Sequence, residues 1–297
     1  MICLIVGYGS IGRRHAKIIK KLNLFRKIYV HTKQKLPNYL NKCLNIKEVK
    51  NINPDYIVIA SETSKHFKQL KFINRVCSKK TILVEKPLFN KINNINNIKN
   101  KVFVGYNLRL HPVIQKLKEL IKGQRIYSLK SLCFSNLKDW RKNRKYYKTS
   151  SARKNSGGVI FDLSHEFDFV SWLFGNLRYV NSVKKKNSDL KINTEDYLSL
   201  NAIAKKTHIS FNFNYYSNLE TRKIYIDGKN ISLIGDLINN SVEYKSNKKR
   251  KKIFFTKFKR DDMFIKLHSN LIKNKFQNIC TYTEGITLTK FIDQIKR

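Results

Sequence analysis

The hexapeptide Gly7-Tyr8-Gly9-Ser10-Ile11-Gly12 constrains this chain more than any other stretch. It fits G-x-G-x-x-G and directly follows the apolar run Ile2 to Val6. It opens the segment Ile11 to Leu22, whose Ile11, Ile18, Ile19 and Leu22 fall near one helical face. Strand, glycine turn and helix in that order predict the first unit of a dinucleotide-binding βαβ fold. Gly7 permits the tight turn, Gly9 lets backbone amides approach a pyrophosphate, and Gly12 lets the helix pack closely on the sheet. The helix start at Ser10 and Ile11 supplies N–H donors and a positive dipole end for phosphates. NAD binding calls for a carboxylate at the end of the second strand, where the 2′-hydroxyl sits. The chain reads His31-Thr32-Lys33 there. Thr32 and Lys33 suit a 2′-phosphate, so the expected cofactor is NAD or NADP.

Downstream, strand and helix signals keep alternating. Ile28 to His31, Tyr56 to Ala60, Thr81 to Val84 and Val102 to Tyr106 read as strands, and His66 to Val76 as a helix. That pattern predicts an α/β Rossmann domain with a doubly wound parallel sheet over residues 1–106. After it, Val113 to Ile121 reads as a helix, and long β-type stretches follow: Ile126 to Phe134, Tyr197 to Ala204, His208 to Tyr216, Arg222 to Ile226 and Ile231 to Ile234. Asp227-Gly228 reads as a tight hairpin turn. One helix, Phe161 to Phe174, interrupts them and stops at Gly175. Residues 107–297 are therefore expected to form an α+β domain with an open, mainly antiparallel sheet. Helices would cover one face, and a closing helix would span 283–295.

The net charge is +41, from 61 basic and 20 acidic residues. Forty-seven of the basic residues are Lys, scattered along the chain with abundant Asn and Ile, as AT-rich codon drift produces. The densest runs, Lys184 to Lys186 and Lys248 to Lys252, read as turns and carry no interleaved aromatics on which bases stack. The balance is against nucleic acid as a partner. Five spread cysteines with no C-x-x-C pair predict reduced thiols and no metal site. The apolar start ends at Gly7, without a signal-peptide pattern, and no run approaches the ~20 residues of a membrane span. A soluble, cytoplasmic protein is expected.

Four segments, in order, resemble the Gfo/Idh/MocA oxidoreductases, the family of glucose-fructose oxidoreductase and inositol dehydrogenase. They are Gly7 to His15, Ala60 to His66, Glu85-Lys86-Pro87, and Gly157-Gly158 through Asp162, His165 and Asp168. The resemblance implies hydride transfer between nicotinamide and a hydroxyl or keto carbon of a sugar, nucleotide sugar or cyclitol. It implies cofactor contacts from Ala60, Ser61, Thr63, His66, Glu85 and Lys86, and a homo-oligomer built through the C-terminal sheet. It assigns Lys86 to catalysis, beside both cofactor and substrate, and Lys86-Pro87 resembles a bond often cis in this family.

The chemistry suits these residues. Oxidising a secondary alcohol requires a base beside the hydroxyl oxygen. Lys86 ends a parallel strand, where open α/β sheets place their ligands. Asp162 and His165 stand three apart on a predicted helix and so share a face. His165 suits proton transfer, and Asp162 suits orienting it or binding a hydroxyl. Many family members have a step of four between these positions, where this chain has three. Asp168 either binds substrate or braces the helix. Arg109 and His111 stand just past the fifth strand, where a substrate group would be met. Trp140 and Arg141 lie in an aromatic and basic loop suited to stacking a sugar ring and holding an anion. Competing readings are reduction of another carbonyl or imine, and a non-catalytic NAD(P)-binding regulatory or nucleic-acid-associated protein.

Overall fold

The computed structural model describes residues 1–297 except 141–144, 155 and 248. The first elements are β1 (Ile2–Val6), α1 (Ser10–Leu22), β2 (Lys27–His31), β3 (Asn41–Cys43), α2 (Val49–Ile52), β4 (Tyr56–Ile59), α3 (Thr63–Val76), β5 (Thr81–Val84) and β6 (Lys101–Val104). Next come α4 (Pro112–Ile121), β7 (Ile126–Asn136), α5 (Val159–Asp162), α6 (Ser164–Phe174), β8 (Arg178–Lys185), β9 (Tyr197–Ala204), β10 (Thr207–Asn214), β11 (Tyr216–Gly228), β12 (Ile231–Asp236), β13 (Ser241–Ser246) and β14 (Lys249–Phe254). The chain closes with α7 (Arg260–Ile272), β15 (Cys280–Thr281) and α8 (Tyr282–Lys296).

Two compact units result: residues 1–107 with 259–289, and residues 108–258 with 290–297. The first holds a seven-stranded sheet ordered β15-β6-β5-β4-β1-β2-β3, parallel except for β15. Strands β1, β4 and β5 are almost wholly buried, which explains their unbroken Ile, Leu and Val runs. Strand order reverses between β1 and β4. Open α/β sheets receive their ligands at such a reversal, outside the carboxyl strand ends. Helix α7 packs on α1, and Arg14 of α1 reaches Asp261 of α7 at 3.6 Å.

The second unit holds an eight-stranded sheet ordered β14-β13-β12-β11-β7-β10-β9-β8, antiparallel except for the β7–β10 pair. One face of β9 and β10 is buried through Leu198, Leu200, Ile209, Phe211 and Phe213. Helix α6 covers it: the Phe167 ring lies 5.0 Å from Phe211 and 5.4 Å from Phe213.

Four sequence expectations need correction. The predicted 107–297 domain is not continuous, because 259–289 returns to the first unit. The helix expected over Phe161 to Phe174 is two helices, α5 and α6, broken at Leu163 (φ −96°, ψ 17°). Periodicity cannot register a one-residue change of dihedral. Asp162 and His165 therefore belong to different helices, with the Leu163 turn between them. The hairpin turn falls at Lys229-Asn230, because β11 runs on through Gly228, where a side chain would stand 2.7 Å from the Arg125 carbonyl oxygen. Finally, Lys184 and Lys185 lie in β8 and Lys249 to Lys252 in β14, the two edges of the sheet, rather than in turns. Lysine-rich edges deter pairing with another chain's strand. Among the described residues no helix is long and apolar enough to cross a membrane.

Candidate active site

In the first unit, the turn after β1 and the segment after β4 meet at the strand-order reversal. Gly7 takes φ +103°, and a side chain there would stand 2.8 Å from the Ser61 backbone. Glycine is thus required both for its dihedral and for the close approach. At Gly9 nothing lies within 4 Å of where a side chain would begin. Gly9 opens α1 without a side-chain cap, and the first backbone bond of the helix runs from Arg13 N–H to the Gly9 carbonyl. Open space beside the first turn of a 13-residue helix fits the pyrophosphate of a dinucleotide. Ser10 is exposed and Ile11 half-buried there.

Across the reversal, Ala60 is buried and Ser61 half-buried, its hydroxyl donating to Gln69 Oε1 at 2.6 Å. Thr63 begins α3. His66 is fully enclosed, its ring nitrogens 3.2 Å from the carbonyl oxygens of Ser61, Pro87 and Leu88. Burial lowers its pKa against the opposing pull of these carbonyls, and the ring sits between the segment after β4 and the one after β5.

Glu85 and Lys86 follow β5, and the Lys86–Pro87 peptide is cis. Glu85 is buried, with Oε1 2.9 Å from His15 Nε2 and Oε2 accepting from the Lys86 amide at 3.2 Å. A side chain at Gly105, just past β6, would stand 2.8 Å from Glu85 Oε1, so that glycine makes the carboxylate's room. Lys86 itself is half-buried. At the end of β2, Thr32 Oγ1 accepts from the Gln34 amide at 3.1 Å, and Arg13 donates to Gln34 Oε1 at 2.6 Å. Lys33 is exposed beside them.

In the second unit, Asp162 ends α5 and accepts from the Tyr215 hydroxyl at 2.7 Å. Gly158 precedes α5 at φ +90°, packed on the half-buried Glu195 side chain, and the Ile160 amide donates to Glu195 Oε1 at 3.2 Å. Burial raises the Glu195 pKa. His165 is half-buried in the first turn of α6. Trp140 donates from Nε1 to Ser135 Oγ at 3.0 Å and sets its ring edge-on to Tyr215, with centroids 5.1 Å apart. Tyr215 thus brings Trp140 and Asp162 together. Arg141 lies outside the described residues.

Arg109 and Asp168, both expected at the substrate, form a forked ion pair with each other. Nη2 lies 2.7 Å from Oδ1 and Nε 2.9 Å from Oδ2, with exposures of 2% and 1%. The buried pair ties the segment before α4 to α6. His111 caps α4, accepting from the Val113 amide at 3.2 Å. Sequence reading passed over Tyr215, Glu195, Tyr56 and His268. None stands in a motif, and each acts through a partner remote in the chain.

Residues 1–102 match the family model described as oxidoreductase family, NAD-binding Rossmann fold, of Gfo/Idh/MocA. YteT of Bacillus subtilis is 25% identical over 131 residues, which cover 41% of this chain and 30% of that protein's length. Among solved structures, UDP-N-acetylglucosamine 3-dehydrogenase GnnA from Acidithiobacillus ferrooxidans matches with TM-score 0.80 at 16% identity, over 99% of this chain and 96% of that one. Levoglucosan dehydrogenase, in complex with NADH and levoglucosan, matches with TM-score 0.84 at 13% identity, over 100% and 96%. The WlbA dehydrogenase from Bordetella pertussis, in complex with NADH and UDP-GlcNAcA, matches with TM-score 0.78 at 16% identity, over 99% and 95%. At such identities these likenesses establish the two-domain fold. Residues 1–102 are thus similar to the NAD-binding Rossmann fold of the Gfo/Idh/MocA oxidoreductase family.

Proposed function

We propose that this protein is an NAD(P)-dependent dehydrogenase acting at a hydroxyl or keto carbon of a sugar, nucleotide sugar or cyclitol. The observation that carries the reading is the crest of the first sheet. There, an open glycine turn at the strand-order reversal and the Glu85-Lys86-cis-Pro87 tip rise from the carboxyl ends of β1 and β5. The bound nicotinamide supplies hydride acceptance or donation at its C4. The chain supplies the rest. The turn at Gly7 to Gly12 holds the pyrophosphate, with Ser61 and Thr63 lining the other side of the reversal. Lys86 takes the alcohol proton during oxidation and returns it during reduction. Asp162 and His165 bind substrate hydroxyls, and His165 is a second proton carrier. Trp140 offers a ring on which a sugar stacks. Arg109 and Asp168 are positioning residues that hold α6. The carbohydrate class is supported by the printed substrates and ligands of the structural relatives.

The test begins with NADH and NADPH titrations by fluorescence. A panel of sugars, inositols and nucleotide sugars then follows, read at the reduced-nicotinamide absorbance. Lys86→Ala should keep cofactor binding within a few-fold and lose about 100-fold or more in turnover, the usual scale of general acid–base catalysis. Full turnover in that variant removes Lys86 from the mechanism. Salt-sensitive DNA or RNA retardation with no dinucleotide binding would overturn the enzyme reading.

A further inference from the structure

Beneath Glu85 runs a chain of buried polar groups that the reaction itself does not use. His15 Nε2 lies 2.9 Å from Glu85 Oε1, His15 Nδ1 lies 2.8 Å from His268 Nε2, and His268 Nδ1 lies 2.8 Å from the Tyr56 hydroxyl. His15 and His268 are 0% exposed and Tyr56 2%. The residues come from α1, α7, the start of β4 and the position just after β5, so the chain runs from the amino end of a central strand toward the ligand-facing carboxyl ends. Packing holds it in place. The His15 and His268 rings meet edge-on at 5.0 Å, Phe264 abuts His15 at 5.5 Å, and Phe25 stacks on Tyr56 at 5.9 Å. Among the described residues, Cys3 of β1 lies beside Tyr56, His66 of α3 lies toward Glu85, and the Arg14 guanidinium lies over the Phe264 ring.

Hydrogen-bond logic gives this chain a direction. An ionised carboxylate only accepts, so His15 donates from Nε2. With its ring neutral, His15 accepts at Nδ1, which makes His268 the donor from Nε2. His268 Nδ1 accepts in turn, and the Tyr56 hydroxyl donates to it. Every group is satisfied in that arrangement. Reversing all three bonds requires a protonated Glu85. Burial holds His268 well below the usual histidine range, so its ring stays neutral.

We propose that Tyr56, His268 and His15 are positioning residues, forming a directional relay that holds Glu85 as a carboxylate and thereby fixes the Lys86 tip for cofactor binding. The relay rests on the NAD(P) reading of the crest. It explains why 259–289 returns to the first unit: that segment delivers His268 to a site built from the first hundred residues. Glu85 has one oxygen committed to His15 and the other to the Lys86 amide, so loosening the inner bond loosens the tip.

Three full-length variants test it: Tyr56→Phe, His268→Phe and His268→Gln, whose amide restores a donor toward His15. Binding is read by NADH fluorescence and folding by thermal melts. His268→Phe should weaken NADH at least fivefold, Tyr56→Phe less, and His268→Gln should return to within twofold of the unaltered protein. In parallel, long-range nitrogen–proton NMR of histidine-labelled protein should show His268 as the neutral Nε2–H form from pH 5.5 to 8. Equal NADH affinity in all three variants overturns the relay, as does an Nδ1–H form of His268. If His268→Phe does not fold, Tyr56→Phe, which deletes one hydroxyl, still decides. An unaltered protein that binds no dinucleotide defeats the cofactor reading instead, and the NMR form of His268 then decides the relay alone.

Discussion

The Tyr215 hydroxyl donates to Asp162 Oδ2 at 2.7 Å from a fully buried ring, so the carboxylate at the end of α5 is held by a residue 53 positions away. The same ring supports Trp140. Tyr215→Phe keeps the packing and removes one charge-assisted bond, an interaction of about 1.5–3 kcal/mol. The expected outcome is turnover lower by about tenfold or more, with cofactor affinity unchanged. Steady-state kinetics beside an NADH titration check it.

The Arg109–Asp168 pair yields a stability prediction. Removing one partner of a buried ion pair leaves an uncompensated charge, at a cost of about 3–5 kcal/mol. Arg109→Met alone should show that loss in urea unfolding. Arg109→Met with Asp168→Leu should be markedly less destabilised than Arg109→Met, because no lone charge remains. A double variant as unstable as the summed singles would show that the residues act independently.

At the end of β2 no carboxylate stands ready for a ribose 2′-hydroxyl, and the cations Arg13 and Lys33 flank Gln34. Lys33→Asp should therefore move the preference toward NADH, by about tenfold relative to NADPH, the effect of exchanging an attractive for a repulsive charge near a phosphate. Paired titrations read the ratio. An unmoved ratio places Lys33 outside the adenosine-ribose contact.

Acid should destabilise the second unit through His111. Burial first, then Arg222, lowers its pKa to about 4, against an unfolded value near 6.5. The unfolded chain therefore binds the proton in that window while the folded one does not. The stabilisation is complete above about pH 6.5 and is lost as pH falls toward 4, by on the order of 3 kcal/mol. His111→Asn keeps a good helix cap and does not titrate. Its unfolding free energy should fall less between pH 7 and 5 than that of the unaltered protein, measured by urea titration at each pH.

Local sequence determined the turn at Gly7 to Gly12, the buried parallel strands and the Glu85-Lys86-Pro87 tip, because a glycine's dihedral, an unbroken apolar run and a proline act within a few residues of themselves. Only the tertiary structure decided the break at Leu163, the edge positions of the lysine runs, the burial of Arg109 against Asp168 and the meeting of His15 with His268 across 253 residues. Those depend on which distant groups exclude water together. A buried charge or imidazole is settled by the partner that reaches it, and periodicity along the chain carries no record of that partner.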